Sequence, residues 1–266
     1  ASGTLHIALE RVSTQLERSS KTKALVKKAM IYPVAVLLVA IAVTIVMLVV
    51  VIPSYESMFV DLGTELPAIT KFYVGLSNGL REHWLIIIPI VAAIITGIVY
   101  FSKTNEGKHF FGKIALTIPI IKNMTVKSAA SQMARTLGTL LGSGVTLVEA
   151  TQIVASTMGN VYFKEALQDA SDQVAIGMPL SRPLEECGLF PPMVYHMLRI
   201  GEESGSTEEM LDKLADYYDE EVEMAVQSLM AALEPMIIIV LAVVVGGLVA
   251  ACMAPMLTMY QALDTL

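Results

Sequence analysis

The densest reactive chemistry in this sequence is a run of acids. Between positions 202 and 223 stand ten carboxylates, Glu202, Glu203, Glu208, Glu209, Asp212, Asp216, Asp219, Glu220, Glu221 and Glu223, against Lys213 alone. Like charges packed this closely repel, so the run needs relief. Solvation of a helix face would provide it, helped by the positive end of that helix near the first acids. A basic partner docked on Glu208, Glu209, Asp212, Asp216, Asp219 and Glu220 would also provide it, and so would a divalent cation bridging carboxylates. The other reactive groups do not assemble. The SxxK pattern at 20–23 lies in a basic segment without the motifs that accompany a serine–lysine nucleophile. His6, His83, His109 and His196 are scattered, with no HExxH spacing. Gly138, Gly142 and Gly144 have no preceding strand and no following lysine, so no phosphate-cradling turn is indicated. Cys187 and Cys252 form no CxxC pair. No catalytic, cofactor-binding or metal site is assigned, and the expectation is a protein that is not an enzyme and carries no cofactor.

What must position the acids is a membrane chain. Of 266 residues 55% are hydrophobic and only 16% charged, where soluble domains average about 45–50% and about 25%. The excess gathers in three stretches, 34–52, 85–101 and 236–254, none with an Asp, Glu, Lys, Arg or His. A spanning helix needs about 20 mostly apolar residues. Tyr32, Trp84, Tyr100 and Tyr260 sit near the ends, as interfacial aromatics do. The apolar cores argue against a transporter or channel, whose pathways need polar groups at membrane depth. A net charge of −7 argues against a nucleic-acid binder. Lys21, Lys23, Lys27 and Lys28 precede the first span, and Lys103, Lys108, Lys113 and Lys122 follow the second. These lysines predict a cytoplasmic N-terminus and a cytoplasmic central segment; a specific anionic-lipid site is the other use they could have. In the third span, Gly246 with Ala250 and Gly247 with Ala251 give small-residue faces, suited to packing within the chain or to self-association.

The chain also repeats itself. A shift of 202 positions lays Ser2 on Ser204, Gly3 on Gly205, Leu9 on Leu211, Ala29 on Ala231, Pro33 on Pro235, Ala40 on Ala242, Val43 on Val245 and Pro53 on Pro255. Each copy brackets a span with prolines 20 residues apart, and proline suits a first helical turn, where its missing N–H has no partner anyway. The second copy is preceded by about 80 residues of helical pattern that the first lacks, so the reading expects a fragment of a longer protein with an upstream domain resembling 124–203. The expected organisation is the end of a first cytoplasmic domain at 1–32, a span at 33–53, an extracytoplasmic loop at 54–83, a span at 84–101, a cytoplasmic helical domain at 102–234 and a last span at 235–260. Within the helical domain, Met133, Leu137, Leu140 and Leu141 keep helical spacing, Gly142 and Gly144 end that helix, and Thr146 to Glu149 reads as a capping box. Asn160 opens a helix to about Ile176, a short one follows near 183–187, and Pro192 starts another. The last runs from Thr207, with Leu211, Leu214, Tyr218, Val222, Ala225 and Leu229 as its apolar stripe. Short connections predict an antiparallel bundle of about six helices, so the fold class is an all-α membrane protein with a duplicated domain plan.

Several runs are family-specific: LGTLL at 137–141 followed by GVTL at 144–147, GN at 159–160, GMPL at 177–180, GLFPP at 188–192, GEESG at 201–205 and MLDKLAD at 210–216. With them the chain resembles the type II secretion system protein F family over essentially its whole length; Thr146 stands where that family often has proline. The resemblance implies an inner-membrane platform of a bacterial type II secretion or type IV pilus machine. It would couple a cytoplasmic ring ATPase to polymerisation of pilin or pseudopilin subunits beside other inner-membrane assembly proteins, as a homo-oligomer, without binding nucleotide or nucleic acid itself. It marks Gly144, Phe190, Pro191, Gly201, Glu202, Ser204 and Gly205 as structural positions. Gly205 would make the tight turn, and Glu202 would accept bonds from the N–H groups that open the last helix.

Overall fold

The computed structural model describes residues 27–28, 30–61 and 67–264, and among them every regular element is helical. Helix α1 covers 30–46 and passes through a π-helical turn at Met47–Val51 into α2 (Ile52–Asp61). Then come α3 (Ala68–Lys103), α4 (Asn105–Thr117), α5 (Pro119–Gly142), α6 (Leu147–Thr157), α7 (Val161–Ala175), α8 (Ser181–Glu186), α9 (Pro192–Ser204) and α10 (Thr207–Asp264). Met30–Ser57, Ala68–Lys103 and Thr207–Ala254 are each long and apolar enough to cross a membrane. Positions 1–26 and 29 lie outside the described residues, and with them His6, the SxxK pattern, Lys21, Lys23 and most of the first repeat copy, as does the side chain of Tyr260.

The chain divides into two compact units, one containing Tyr100–Met230 and the other Met30–Val99 with Ala231–Leu266. The first is a helical bundle whose core takes residues three or four apart from each helix. Met133 and Leu137 come from α5, Val154 from α6, Phe163 and Leu167 from α7, Leu184 from α8, Val194 and Leu198 from α9, and Leu211, Leu214 and Tyr218 from α10. That periodicity buries one stripe per helix and leaves the rest to water. The expected start of α7 is present: the Asn160 side chain accepts from Tyr162 N–H at 3.0 Å. The Thr146 hydroxyl likewise accepts from Glu149 N–H at 3.4 Å. Helix α4 was not expected. Its apolar Phe110 and Phe111 are exposed and it contributes only Leu116 to the core margin, so it carries no clear inward stripe to read.

The second unit differs from the sequence reading between 54 and 83, taken there as a loop. Most of it is helical, in α2 and the first turns of α3. The face buried there is Thr70, Val74 and Ser77, two of them polar, which hydropathy does not register. The π turn explains one of them. Ile52 N–H donates to Met47 O, one residue further back than in an α-helix, and Pro53 has no N–H to give. Leu48 O thereby loses both of its helical donors, and the buried Ser77 hydroxyl donates to it instead. Thr70 plays a similar part, donating to Ala251 O at 2.9 Å. Replacing Ser77 by alanine leaves Leu48 O unmet in an apolar setting. We expect a loss of about 1 kcal/mol, read as a lower unfolding midpoint of the detergent-solubilised chain, with Ser77→Thr close to the parent.

Candidate functional site

Two features gather the residues singled out from the sequence, and both sit at the start of α10. The first is the turn from α9. Gly205 ends α9 in the left-handed region, at φ 71° and ψ 17°, where only glycine is free of strain. Gly201 O receives the N–H groups of both Gly205 and Ser206. A Cβ on Gly201 would come within 2.8 Å of Thr207 Cα, so the first turn of α10 lies directly against the glycine. Gly201→Ala therefore has to push backbone apart. A loss of about 2 kcal/mol is expected, and a melting temperature equal to the parent's would show that the turn yields freely. Ser204 Oγ lies 2.6 Å from Ser206 Oγ.

Glu202 does not serve the last helix as expected. Its carboxylate reaches α8, where Oε1 accepts from Leu180 N–H at 2.5 Å and Oε2 accepts from the Ser181 hydroxyl at 2.6 Å. Ser181 N–H is shared between the two oxygens at 3.3 and 3.4 Å. The reason is local. Leu180 precedes α8 in a helical conformation and offers no side-chain cap, so the first N–H groups of that helix need an outside acceptor, and a carboxylate is favoured there. Phe190 is buried edge-on against Phe163 with ring centroids 5.1 Å apart, and Pro191 and Pro192 then launch α9. Gly144, at φ 84°, turns the chain between α5 and α6.

The second feature is the acidic face. The sequence offers it Lys213 alone as counter-charge, and indeed Lys213 Nζ donates to Glu209 at 2.6 Å, lowering the affinity of that carboxylate for protons. The structure adds two cations from α5. Lys127 pairs with Glu221, and Arg135 donates to Asp216 at 2.7 Å and to Asp219 at 2.8 Å. The Ser131 hydroxyl donates to the other Asp219 oxygen at 2.5 Å. Lys127, Ser131 and Arg135 are four residues apart, one per helical turn, and meet partners of falling number on α10, so the two helices run antiparallel. Burial of Arg135 disfavours its charge, but the bonds to Asp216 and Asp219 outweigh that and hold it more firmly protonated than usual. Sequence reasoning missed this seam because the bases lie far along the chain from their acids; the legible signal was the four-residue spacing of Lys127, Ser131 and Arg135 along α5. Glu209, Asp212, Asp216 and Glu220 face solvent, whereas Glu208 and Asp219 are half-buried.

Elsewhere, Gly247 and Ala251 of the third span pack within the chain: a Cβ on Gly247 would strike the Tyr73 hydroxyl, and Ala251 is fully buried. Gly246 and Ala250 are exposed. A cleft of about 420 Å³ opens beside α4, α5 and the start of α7, lined by Phe111, Ala115, Met124, Ser128, Asn160 and Phe163 among others. Its lining has no carboxylate, imidazole or thiol, so it does not assemble an acid–base pair. Among the described residues no three His, Cys, Asp or Glu side chains are grouped to hold a metal ion.

With this geometry in hand, comparison with known proteins is decisive. The family model for type II secretion system (T2SS), protein F, matches residues 1–53 and 133–255. The chain belongs to the type II secretion system protein F family. The two matched segments end at 53 and 255, which is the 202-residue offset at which the sequence repeats. Protein F relatives divide by name. The type IV pilus assembly protein PilC of Pseudomonas aeruginosa is 42% identical over 257 residues, 96% of this chain and 68% of the relative. PilC of Myxococcus xanthus is 36% identical over 98% of this chain and 63% of the relative. The type II secretion system protein F of Aeromonas hydrophila is 29% identical over 96% and 66%. The chain thus spans about two thirds of the length of these relatives. Among the described residues every regular element is helical, and three helices are long and apolar enough to cross a membrane.

Proposed function

We propose that this chain is part of an inner-membrane platform for type IV pilus assembly, coupling a cytoplasmic ring ATPase to polymerisation of pilin subunits. The observation that carries the reading is the 42% identity to a type IV pilus assembly protein across nearly the whole chain. Relatives named type II secretion system protein F stand at 28–30%, which favours the pilus arm of the family over pseudopilin assembly. The lysines flanking the first two spans support a bundle on the cytoplasmic side of the bacterial inner membrane, with the segment between those spans outside. The role is mechanical rather than catalytic; the relatives' names describe assembly, not an enzyme activity. Domains follow the same order: the end of a first cytoplasmic domain at 1–32, spans near 33–53, 84–101 and 235–260, and the cytoplasmic bundle at 102–234.

The docking face for the motor is the outward stripe of α10. Asp216 and Asp219 already hold Arg135, so Glu209, Asp212 and Glu220 are the acids free of the α5 seam to attract a basic surface. The test is photo-crosslinking in cells from benzoylphenylalanine at positions 212 and 220, with adducts identified by mass spectrometry. Adducts to a ring ATPase that weaken as salt rises support the reading. Adducts only to further copies of the chain would make the stripe a self-assembly surface and move the motor contact elsewhere.

A further inference from the structure

Helix α4 carries two opposed faces, and only one of them is used inside the protein. At about 100° per residue, His109, Gly112 and Leu116 share one side. His109 stacks edge-on against Tyr162 with centroids 5.6 Å apart, and its Nε2 lies 3.3 Å from Glu165. A Cβ on Gly112 would meet Asn160 and Tyr162, and Leu116 packs on the core. This side is the docked one. The opposite side presents Phe110 and Ile114, with Lys113 at one margin; at the other margin Phe111 and Lys108 border the cleft between α4 and α5. Phe110 keeps 55% of its surface exposed. Ile118, between α4 and α5, and Ile120, in the first turn of α5, are exposed as well.

We propose that this outward face of α4 lies in the headgroup region of the membrane and is held there by anionic phospholipid. The inference rests on α3 crossing the bilayer. Three observations then select a membrane surface as the occupant. The first is continuity: α3 ends at Lys103, α4 begins at Asn105, and the ring of Phe101 in the last turn of α3 touches those of Phe110 and Phe111, each at 6.2 Å. The connection is tight, because Thr104 caps α4 by accepting from Gly107 N–H at 3.1 Å while Gly107 sits against the Phe101 carbonyl, where a Cβ could not fit. The second is charge. Lys103, Lys108, Lys113 and Lys122 are all exposed, and among the described residues none of them has an ion-pair partner. The third is the arrangement itself. Lysines flanking an apolar arc can lay their methylene stems along it and raise their ammonium groups to the phosphates, which is the pattern of a helix lying in an interface. Four such lysines acting together enrich anionic lipid locally.

The chain has one tryptophan, Trp84, near the expected end of the second span. We would reconstitute the full chain in phosphatidylcholine vesicles containing phosphatidylglycerol and measure quenching by either lipid brominated high on its acyl chains. In the parent protein, quenching of Trp84 reports the span; in the variant Trp84→Phe with Phe110→Trp, the introduced indole reports α4. The expected result is quenching of both, with brominated phosphatidylglycerol more effective than brominated phosphatidylcholine at α4. Changing the four lysines to glutamine should bring that ratio to about one, and changing them to arginine should preserve it. If Trp84 is quenched and the α4 indole is not, the span stands and this proposal fails. If neither is quenched, the span reading itself fails. Equal quenching of the α4 indole by the two lipids would overturn the anionic preference. Quenching that emerges only when the protein is diluted in lipid would assign the face to a second copy of the chain.

Discussion

Glu202→Ala is expected to lower the stability of the bundle by about 3 kcal/mol, roughly 10 °C in melting temperature for a domain of this size. The carboxylate serves Leu180 N–H, Ser181 N–H and the Ser181 hydroxyl together. Removing it strands three donors at the start of a six-residue helix that has no other cap. Bonds to an ionised acceptor are about twice as strong as neutral ones, and an orphaned buried donor costs more than the bond it lost. The damage should spread, because Leu180 and Leu184 are fully buried and depend on α8 for their positions. Glu202→Gln keeps one acceptor oxygen and should lose about half as much. Circular dichroism melting of the full chain in detergent checks the pair. Equal melting of parent and alanine variant would refute the assignment, and equal loss in both variants would mean that shape rather than charge matters.

Arg135→Glu should be comparably severe, also about 3 kcal/mol. It places a third carboxylate between Asp216 and Asp219 where two hydrogen bonds now stand. Full burial would predict more, but the Asp216 side chain is 59% exposed and water screens part of the repulsion. The informative measurement is the exchange. Arg135→Glu combined with Asp219→Arg restores opposite charges across α5 and α10 and should recover a substantial part of the loss. A double variant no better than the sum of the two single changes would deny the coupling. The same pair separates structure from docking, since Asp212 and Glu220 can be neutralised without touching the seam. Those changes should leave the melting temperature within about 0.5 kcal/mol of the parent's while reducing any salt-sensitive partner binding.

Much of the bundle was legible because its helices carry their signals locally. Thr146 and Asn160 cap the helices they precede, Gly205 stops α9, and the stripe from Leu211 to Ala225 reads directly as a buried face. Three things were not legible. Helix α4 faces two environments and so shows no single apolar stripe. The start of α3 buries Thr70 and Ser77, whose value lies in carbonyls they meet on other helices rather than in hydropathy. The destinations of Glu202 and Arg135 are set by tertiary packing across about 20 and about 80 positions, and no spacing rule within a helix reaches that far. Glu202 was expected to serve the last helix, and its partner at α8 had to be seen.

The contact between Ser77 and Leu48 has a consequence for how the chain is made. Synthesis runs from the N-terminus, so the turn at Met47–Val51 exists before Ser77 has been added. During that interval one carbonyl of this stretch lacks a helical donor in either register, Leu48 O in a π turn and Val49 O in an α turn, because Pro53 has no N–H to give. Water must satisfy it, which opposes complete transfer of the first span into hydrocarbon. The arrival of α3 removes that obstacle. One hydroxyl thus ties the insertion of the first hydrophobic segment to the emergence of the second, and the two are expected to enter the bilayer as a pair rather than in succession.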